Sequence, residues 1–418
     1  MHCACRSPRH LPVALLALLA GCGAPEPPAS TGGTSIPAGQ CGRGAVVVSS
    51  DYQSSNVSLI DLGGSVLSPS FISSGTKPGV LSAPLSGDVV LPATAADGED
   101  VVLIDRHLTS VLTFVSLADA QVTGQLSVKT GFASNPQDFL PLADGRSYVT
   151  RFQPNTKAGK EPFDGGDDVL VIAPDRKTIA GRIELGGALA GEPDGYYARP
   201  SRLTLAGSRA WVLLQGYSLN FKTSLPSRLV TVDPATDALD QVVVLGSLQG
   251  CAGLARSPSG STLAVACSGD FAGGRDPDPL TSGVALVDVE SGEVVRLLAA
   301  SALSDSPVGA GVGFLDEQTL LLTTLGTLDD ATGKQQRPDR LLRVDWQAGA
   351  AEPVLASEQL AFTFGTVACF APCSLCFLAD ADRGVVHRFE LGPAGELLRT
   401  SRKVDGGIGL PPRALGGF

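Results

Sequence analysis

The segments LARSPSGSTLAVACSG, residues 254–269, and GVALVDVESGEVVRLLA, residues 283–299, contain the unit from which the fold can be predicted. Each segment holds two short apolar runs rich in Val, Leu and Ala, with a Gly-containing turn between them. Short apolar runs bounded by turn residues are typical of β-strands, whereas an amphipathic helix needs apolar residues at a period of about 3.6. The stretch therefore predicts four consecutive antiparallel strands.

Similar units recur along the whole chain, which is the sequence signature of a repeat architecture. Turns between first and second strands are predicted at residues 97–98, 144–145, 207, 259–260, 316–317 and 372–373. Residues 44–75 add three strands at the front and residues 410–418 add one at the back. We predict an all-β fold, a β-propeller of seven four-stranded blades closed by pairing of the C-terminal strand with the N-terminal strands. Six or eight blades are the alternatives, because residues 75–115 can be divided in two ways.

One unit resembles a known family of propeller repeats. Residues 144–150, DGRSYVT, are similar to the signature of the YVTN-type β-propeller proteins, and residues 284–295, VALVDVESGEVV, resemble the strand pair that follows it there. Arg151 stands where the signature has Asn. The resemblance implies a secreted or surface protein, and the related lactonase-like propellers include sugar-lactone hydrolases. The signature residues themselves specify blades and not chemistry.

The N-terminus is predicted to be a lipoprotein signal peptide. Arg6 and Arg9 precede an apolar run over residues 11–20, which is too short to span a bilayer. Leu19-Ala20-Gly21-Cys22 resembles the bacterial lipobox, so residues 1–21 would be removed and Cys22 lipidated. Residues 22–40 are rich in Pro, Gly, Ser and Thr and are predicted to be a flexible tether. Residues 41–418 form the propeller, and we expect a monomer in the bacterial cell envelope, with the outer membrane favoured.

The charge and the residue inventory exclude several classes of function. The formal net charge of −11 becomes −13 when the signal peptide is removed, which disfavours nucleic-acid binding because that requires a basic surface. Only His107 and His387 follow the signal peptide, and no Met does, which excludes multi-histidine and methionine-ligated metal sites. Both histidines are predicted to be surface strand residues and not catalytic bases.

Long loops are predicted on one face of the propeller. Residues 153–167, 215–227, 268–282 and 326–339 separate second from third strands, and residues 186–200 separate two blades, so all five segments project from the same face. One-sided loop elaboration is typical of a binding surface. The aromatic residues of this region are the predicted ligand contacts: Tyr196, Tyr197, Tyr217, Phe221 and Phe271.

Acidic residues also cluster in these loops, in the stretches DGGDD and RDPDP. Their oxygen atoms are of the kind that Ca²⁺ prefers, but neither stretch has the spacing of an EF-hand loop. We therefore predict solvated turn residues and no cofactor, with Ca²⁺ as the alternative. The metal candidates in that case are Asp164, Asp167, Asp168, Asp276 and Asp278.

Six cysteines remain once Cys22 is lipidated, and an even number in an exported chain predicts disulfides. Cys251 and Cys267 lie at equal distances from the turn at Ser259, so they face each other across a hairpin. The remaining four are Cys41, Cys369, Cys373 and Cys376. Cys369 and Cys376 can pair across the last turn, which leaves Cys373 for Cys41; alternatively, Cys41 pairs with Cys369 or Cys376.

Two functions are compatible with the sequence. The first is a lipid-anchored, non-enzymatic binding or scaffold propeller whose looped face binds a protein, peptide or glycan. The alternative is a lactonase-like hydrolase that uses carboxylates and a divalent cation in the central channel. The second hypothesis requires Asp or Glu side chains that converge at the mouth of the channel.

Overall fold

A computed structural model describes residues 33–34, 37–77, 80–94, 98–106, 108–271, 277–329 and 331–418. Its strands form seven four-stranded antiparallel sheets arranged in a ring. Each sheet is one blade, and its strands are called a to d from the channel outwards. The predicted seven-bladed β-propeller is confirmed. The predicted signal peptide and Cys22 lie outside the described residues, as do most of the tether, His107 and Asp276.

The first half of the chain forms blades one to three and most of blade seven. Strands b, c and d of blade seven are β1 (Gly44–Ser50), β2 (Ser55–Asp61) and β3 (Val66–Ser73). Blade one consists of β4 (Val89–Val90), β5 (Asp100–Asp105), β6 (Val111–Ser116) and β7 (Val122–Ser127). Blade two consists of β8 (Pro136–Pro141), β9 (Ser147–Pro154), β10 (Gly166–Ile172) and β11 (Ile179–Glu184). Blade three follows a short strand, β12 (Tyr196–Tyr197), and comprises β13 (Pro200–Ala206), β14 (Arg209–Leu214), β16 (Arg228–Asp233) and β17 (Ala238–Val244), with β15 (Tyr217–Ser218) pairing β12.

The second half forms blades four to six and closes the ring. Blade four consists of β18 (Cys251–Arg256), β19 (Thr262–Cys267), β20 (Gly283–Asp288) and β21 (Val294–Ala299), and the single helical turn α1 (Ala300–Leu303) follows it. Blade five consists of β22 (Val308–Phe314), β23 (Thr319–Thr324), β26 (Arg340–Asp345) and β27 (Ala350–Ala356), with the extra hairpin β24 (Thr327–Leu328) and β25 (Gln335–Arg337). Blade six consists of β28 (Phe364–Phe370), β29 (Leu375–Asp380), β30 (Val385–Leu391) and β31 (Leu397–Arg402). The last strand, β32 (Pro412–Gly417), is strand a of blade seven. Short 3-10 helices lie at Gly186–Leu189, Pro279–Thr281 and Ala371–Cys373.

The burial of each strand explains its sequence pattern. Middle strands such as β1 and β23 are buried along their whole length, because each blade packs against a neighbour on both faces. Such strands are continuously apolar. Outer strands alternate instead, as in β17, where Val243 is buried between exposed Val242 and Val244. The described residues contain seven apolar clusters, one between each pair of neighbouring blades.

The ring closes where β32 pairs antiparallel with β1, with Val47 opposite Leu415. The amides of Arg43 and Gly44 donate hydrogen bonds to the Phe418 carbonyl and extend this pairing. Closure of this kind leaves only the outer strand of each blade as an edge.

Three disulfides join the six cysteines of the propeller. Cys251 pairs with Cys267 across the β18–β19 hairpin, and Cys369 pairs with Cys376 across the β28–β29 turn. Cys41 pairs with Cys373, which is the first of the two connectivities that the sequence left open. Three disulfides indicate an oxidising, exported compartment. The described residues contain no helix long and apolar enough to cross a membrane.

Candidate functional site

The long loops lie on one face of the ring, as predicted. In each blade the b–c loop and the connection from strand d to the next strand a leave from one face, called the loop face here, while the a–b and c–d turns form the opposite turn face. The longest b–c connections are those of blades two to five. In these four blades the loop face is therefore the more elaborated face.

Exposed apolar side chains are concentrated on the loop face. Among the described residues, fourteen large apolar side chains are exposed, and five of them lie on outer strands d. The other nine all lie in b–c loops or d–a connections, and none lies on the turn face: they are Tyr52, Val80, Leu108, Leu219, Phe221, Leu280, Leu360, Phe362 and Ile408. Leu280 is the most exposed, at 85%. This apolar rim of the loop face is a candidate surface for a partner.

Most of the predicted aromatic contacts pack around one buried arginine. The Arg199 guanidinium carbon lies 4.4 Å from the ring centre of Phe221 and 5.5 Å from that of Tyr197. Phe221 stacks on Phe152 at 6.1 Å, and the ring of Tyr217 is 5.6 Å from that of Phe221. These are cation–π and aromatic contacts. The loops of blades two and three are therefore fixed to each other, and Phe221 is the exposed member of this group.

The charge of Arg199 is compensated by the protein itself. Its Nη1 donates to the Gln153 side-chain oxygen at 2.5 Å, and its Nη2 donates to the Leu219 carbonyl at 3.2 Å. Burial lowers the pKa of Arg199 to about 10, against the opposing charge of Asp167. Arg199 thus organises the loops from within and is not free for a ligand. Tyr196 and Phe271 are half-buried.

The predicted metal candidates that the structure describes accept hydrogen bonds from the protein. The Asp168 carboxylate accepts hydrogen bonds from both Nε and Nη2 of Arg151. The Asp164 carboxylate accepts hydrogen bonds from the backbone amides of Gly159, Lys160 and Glu161. The Asp278 side chain accepts the Leu280 amide. Among the described residues, no three His, Cys, Asp or Glu side chains form a group able to hold a metal ion.

Asp167 belongs to a repeated contact between neighbouring blades. In blades one to five, a side chain at the start of strand c accepts amide hydrogen bonds from the entry to strand a of the next blade. The acceptors are Ser110, Asp167, Ser227, Ser282 and Asp339. Burial raises the pKa of Asp167 to about 6, although the amides of Arg199 and Ala198 oppose that shift. Asp167 and Asp339, like the three serines, therefore use their side-chain oxygens to position the next blade.

The prediction that His387 lies on the surface is wrong. His387 is only 2% exposed, and its Nε2 lies 2.9 Å from Asp380 Oδ2 while its Nδ1 lies 2.7 Å from Ser401 Oγ. Arg383 also binds Asp380, at 2.6 Å. Burial raises the pKa of Asp380, but hydrogen bonds from His387 and Arg383 outweigh it and hold the pKa below its usual value.

The Ser401–His387–Asp380 hydrogen-bond chain lies within blade six, where it crosses strands β31, β30 and β29. Arg383, which binds Asp380, also donates to the Ala356 carbonyl of blade five. A cleft of about 120 Å³ reaches the backbone at Ser401 and is lined by Val386 and Arg388, the strand neighbours of His387. Because successive side chains of a strand point to opposite faces, His387 points away from that cleft. We interpret this hydrogen-bond chain as structural. Its only signal in the sequence was a polar residue, His387, at an inward-facing position of a strand.

The central channel holds a cavity of about 690 Å³. It is lined by the second halves of the inner strands and by the a–b turns that follow them, so it opens on the turn face. Among the described residues, three arginines line it, Arg43, Arg202 and Arg256, against one acidic side chain, Glu99. The convergence of carboxylates that a cation-dependent lactonase needs is not found among these residues. The sequence analysis did not predict Arg202 as a site residue. The signal that could have identified it is the presence of a charged side chain within an innermost strand.

The comparisons with known proteins show the fold alone. No protein-family model matches the chain, and no curated protein matches it significantly. A putative 6-phosphogluconolactonase from Bacteroides fragilis is 12% identical with a TM-score of 0.53, covering 89% of this chain and 97% of that chain. The Pseudomonas aeruginosa periplasmic gluconolactonase PpgL is 16% identical with a TM-score of 0.51 (89% and 98% covered), and a Lactobacillus plantarum protein is 12% identical with a TM-score of 0.53 (89% and 98% covered). The chain therefore shares the β-propeller fold with these proteins.

Proposed function

We propose that this chain is a lipid-anchored propeller of the bacterial cell envelope that binds a protein partner through its loop face. The observation that carries the proposal is the position of the exposed apolar side chains, nine of fourteen on the loop face and none on the turn face. Apolar side chains that are desolvated by a partner contribute most of the favourable free energy at the centre of an interface. A protein partner fits this rim better than a glycan, because the rim runs through the loops of several blades.

The internal contacts of the loops support the same proposal. The Arg199 cluster and the buried Arg151–Asp168 pair fix the loops of blades two and three before any partner arrives. Pre-organised loops lose less conformational entropy on binding than flexible ones. The loop face is therefore suited to specific recognition.

The path of the N-terminal segment supports one orientation of the anchored propeller relative to the membrane. The Thr34 amide donates to the Leu117 carbonyl in a c–d turn, and Cys41 is bonded to Cys373 in an a–b turn. The chain thus runs along the turn face before it enters β1. Thr34 lies twelve positions after Cys22, and an extended chain of that length reaches about 40 Å. A lipid anchor at Cys22 would place the turn face towards the membrane and leave the loop face accessible.

The anchor itself is tested by Cys22→Ser. We expect the wild-type protein to sediment with the membrane fraction and to be extracted by detergent. Cys22→Ser removes the thiol that carries the acyl chains, so that variant is expected to be lost from the membrane fraction. Cys22→Ser that still sediments with membranes in the wild-type amount would show that the anchor is not at this residue.

The docking surface is tested by two double substitutions of exposed apolar side chains, one on the loop face and one on the outer strands. Leu280→Ser/Leu360→Ser removes two apolar side chains of the loop face, and Val295→Ser/Leu398→Ser removes two from outer strands. The tagged proteins are extracted from the envelope of the source bacterium and separated by size. Wild type and the outer-strand variant are expected to elute as a complex, and the loop-face variant as the free protein, with at least about a tenfold loss of complex. Equal loss in both variants would contradict docking on the loop face.

The lactonase-like alternative has less support. Its metal would need several carboxylate oxygens at one point. Among the described residues, the cavity of the channel is lined instead by one glutamate and by three arginines, whose positive charge disfavours a divalent cation.

A further inference from the structure

The cavity of the central channel is a second candidate site, on the face opposite to the proposed docking surface. Its mouth lies among the a–b turns, and its walls include Arg202, Thr204, Ala310 and residues 252–258, 312–314 and 366–370. Ligand sites of proteins are commonly clefts of about 300–1,000 Å³. The volume of about 690 Å³ falls within that range.

Glycines shape the inner wall of this cavity. A Cβ atom on Gly365 would lie 2.1 Å from the Arg413 carbonyl oxygen, and one on Gly253 would lie 2.4 Å from that of Ala310. No side chain fits at either position. The inner strands of blades four to seven therefore approach each other directly.

The charge of the cavity is opposite to that of the protein. The chain carries a formal net charge of −11, yet among the described lining residues Arg43, Arg202 and Arg256 face the cavity against a single acidic side chain, Glu99. None of these arginines forms an ion pair with a described carboxylate. Arg43 and Arg256 each donate one hydrogen bond to a backbone carbonyl, and both lie near the mouth.

Arg202 is the deepest of the three, since it lies in the middle of β13. Its Nε donates to the Ala252 carbonyl at 3.2 Å, and its two terminal nitrogens have no hydrogen-bond partner among the described residues. Burial lowers the pKa of Arg202, and the negative charge of Asp138 opposes that shift. The Asp138 carboxylate, however, already accepts the amides of Ala93, Phe139 and Leu203. Arg202 therefore offers a guanidinium fork that the protein does not use.

We propose that the cavity binds a small organic anion, with its carboxylate or phosphate group on the terminal nitrogens of Arg202 and its body against Leu91, Val312 and Phe314. A planar guanidinium binds such groups through two parallel hydrogen bonds. The site is separate from the loop face, so it does not depend on the proposed function.

The test uses three probes with the same sugar body: galacturonate, galactose 1-phosphate and neutral galactose. Binding to the whole propeller is measured by calorimetry at low ionic strength, at concentrations up to about 10 mM. We expect at least one anionic probe to bind about tenfold or more tightly than galactose. Comparison of galacturonate with galactose 1-phosphate shows whether the site prefers a carboxylate or a phosphate group. Failure of both anions to bind, or binding of galactose with equal affinity, would overturn the proposal.

Variants assign the binding to Arg202. Arg202→Gln is expected to weaken the anionic probe about tenfold or more, Arg202→Lys less, and Arg399→Gln, which alters an exposed arginine of β31, not at all. Unchanged binding in Arg202→Gln would overturn the assignment. Should Arg202→Gln not fold, an unchanged affinity in Arg202→Lys would overturn it instead, because an ammonium group cannot reproduce the two-point contact. Leu280→Ser/Leu360→Ser is expected to bind the probe as wild type does, which separates this site from the docking surface.

Discussion

Arg151→Met is expected to lower the free energy of unfolding by about 3–5 kcal/mol, the largest effect that we expect from a single substitution in this chain. Arg151 is fully buried, and it binds both oxygens of Asp168, with Nη2 to Oδ2 at 2.6 Å. It also donates to the Thr130 hydroxyl and the Phe163 carbonyl. Methionine fills similar space but leaves the Asp168 carboxylate buried without its cation, and a buried unpaired charge is strongly destabilising.

The measurement is urea unfolding of the variant beside two controls. Arg209→Met breaks an exposed pair with Asp240 and is expected to change the free energy of unfolding by less than about 1 kcal/mol. Arg151→Met/Asp168→Leu removes both charges and is expected to recover part of the stability. A loss in Arg151→Met no larger than that in Arg209→Met would show that the buried pair does not stabilise the blade-two loop.

Cys41→Ser/Cys373→Ser is expected to lower the free energy of unfolding by about 6 kcal/mol in the chain-entropy description of disulfides. The bond joins residues 332 positions apart, and it fastens the segment before β1 to blade six, beside the strand pairing that closes the ring. Without it, the unfolded chain gains the freedom of nearly the whole propeller.

The matched control is the hairpin disulfide Cys251–Cys267, which spans 16 positions. Its removal by Cys251→Ser/Cys267→Ser is expected to lower the free energy of unfolding by about 3 kcal/mol, because a shorter loop has less entropy to regain. Thermal and urea unfolding of both double variants show which disulfide contributes more to the free energy of unfolding. An equal or smaller loss from the long-range pair would contradict the role of Cys41–Cys373 in ring closure.

The blades were predictable because their signals are local. Apolar runs and turn residues specify each strand and hairpin, as in residues 254–269, where the turn at Ser259 also placed Cys251 opposite Cys267. The C-terminal strand was assigned to blade seven only because an incomplete unit needed a fourth strand. Repeats thus carry enough information to specify the architecture.

The contacts of the loop face were not predictable, because the partners come from distant parts of the sequence. Arg151 was seen only as a departure from the YVTN signature, and its pairing with Asp168 required the fold of the whole b–c loop. Arg199 was absent from the predicted site although Tyr197 and Phe221 were in it, since sequence spacing does not show which groups surround a buried cation. His387 was placed on the surface because strand alternation alone did not reveal its two hydrogen-bond partners.

The two proposed sites lie on opposite faces, and the proposed anchor at Cys22 would assign a direction to each. The loop face would point away from the membrane towards a protein partner, and the cavity would open on the face nearest the lipid. This arrangement lets a small anion and a protein partner occupy the propeller at the same time.

Site-specific photo-crosslinking in the source bacterium tests the central claim, that the loop face binds a protein partner. A photoreactive residue is placed at Leu280 or Leu360 on the loop face, and at Glu290 or Ala394 in exposed turns of the turn face. We predict a crosslinked product of one defined mass from both loop-face positions and none from the turn-face positions. Crosslinks from Glu290 and Ala394 without any from Leu280 and Leu360 would contradict the claim.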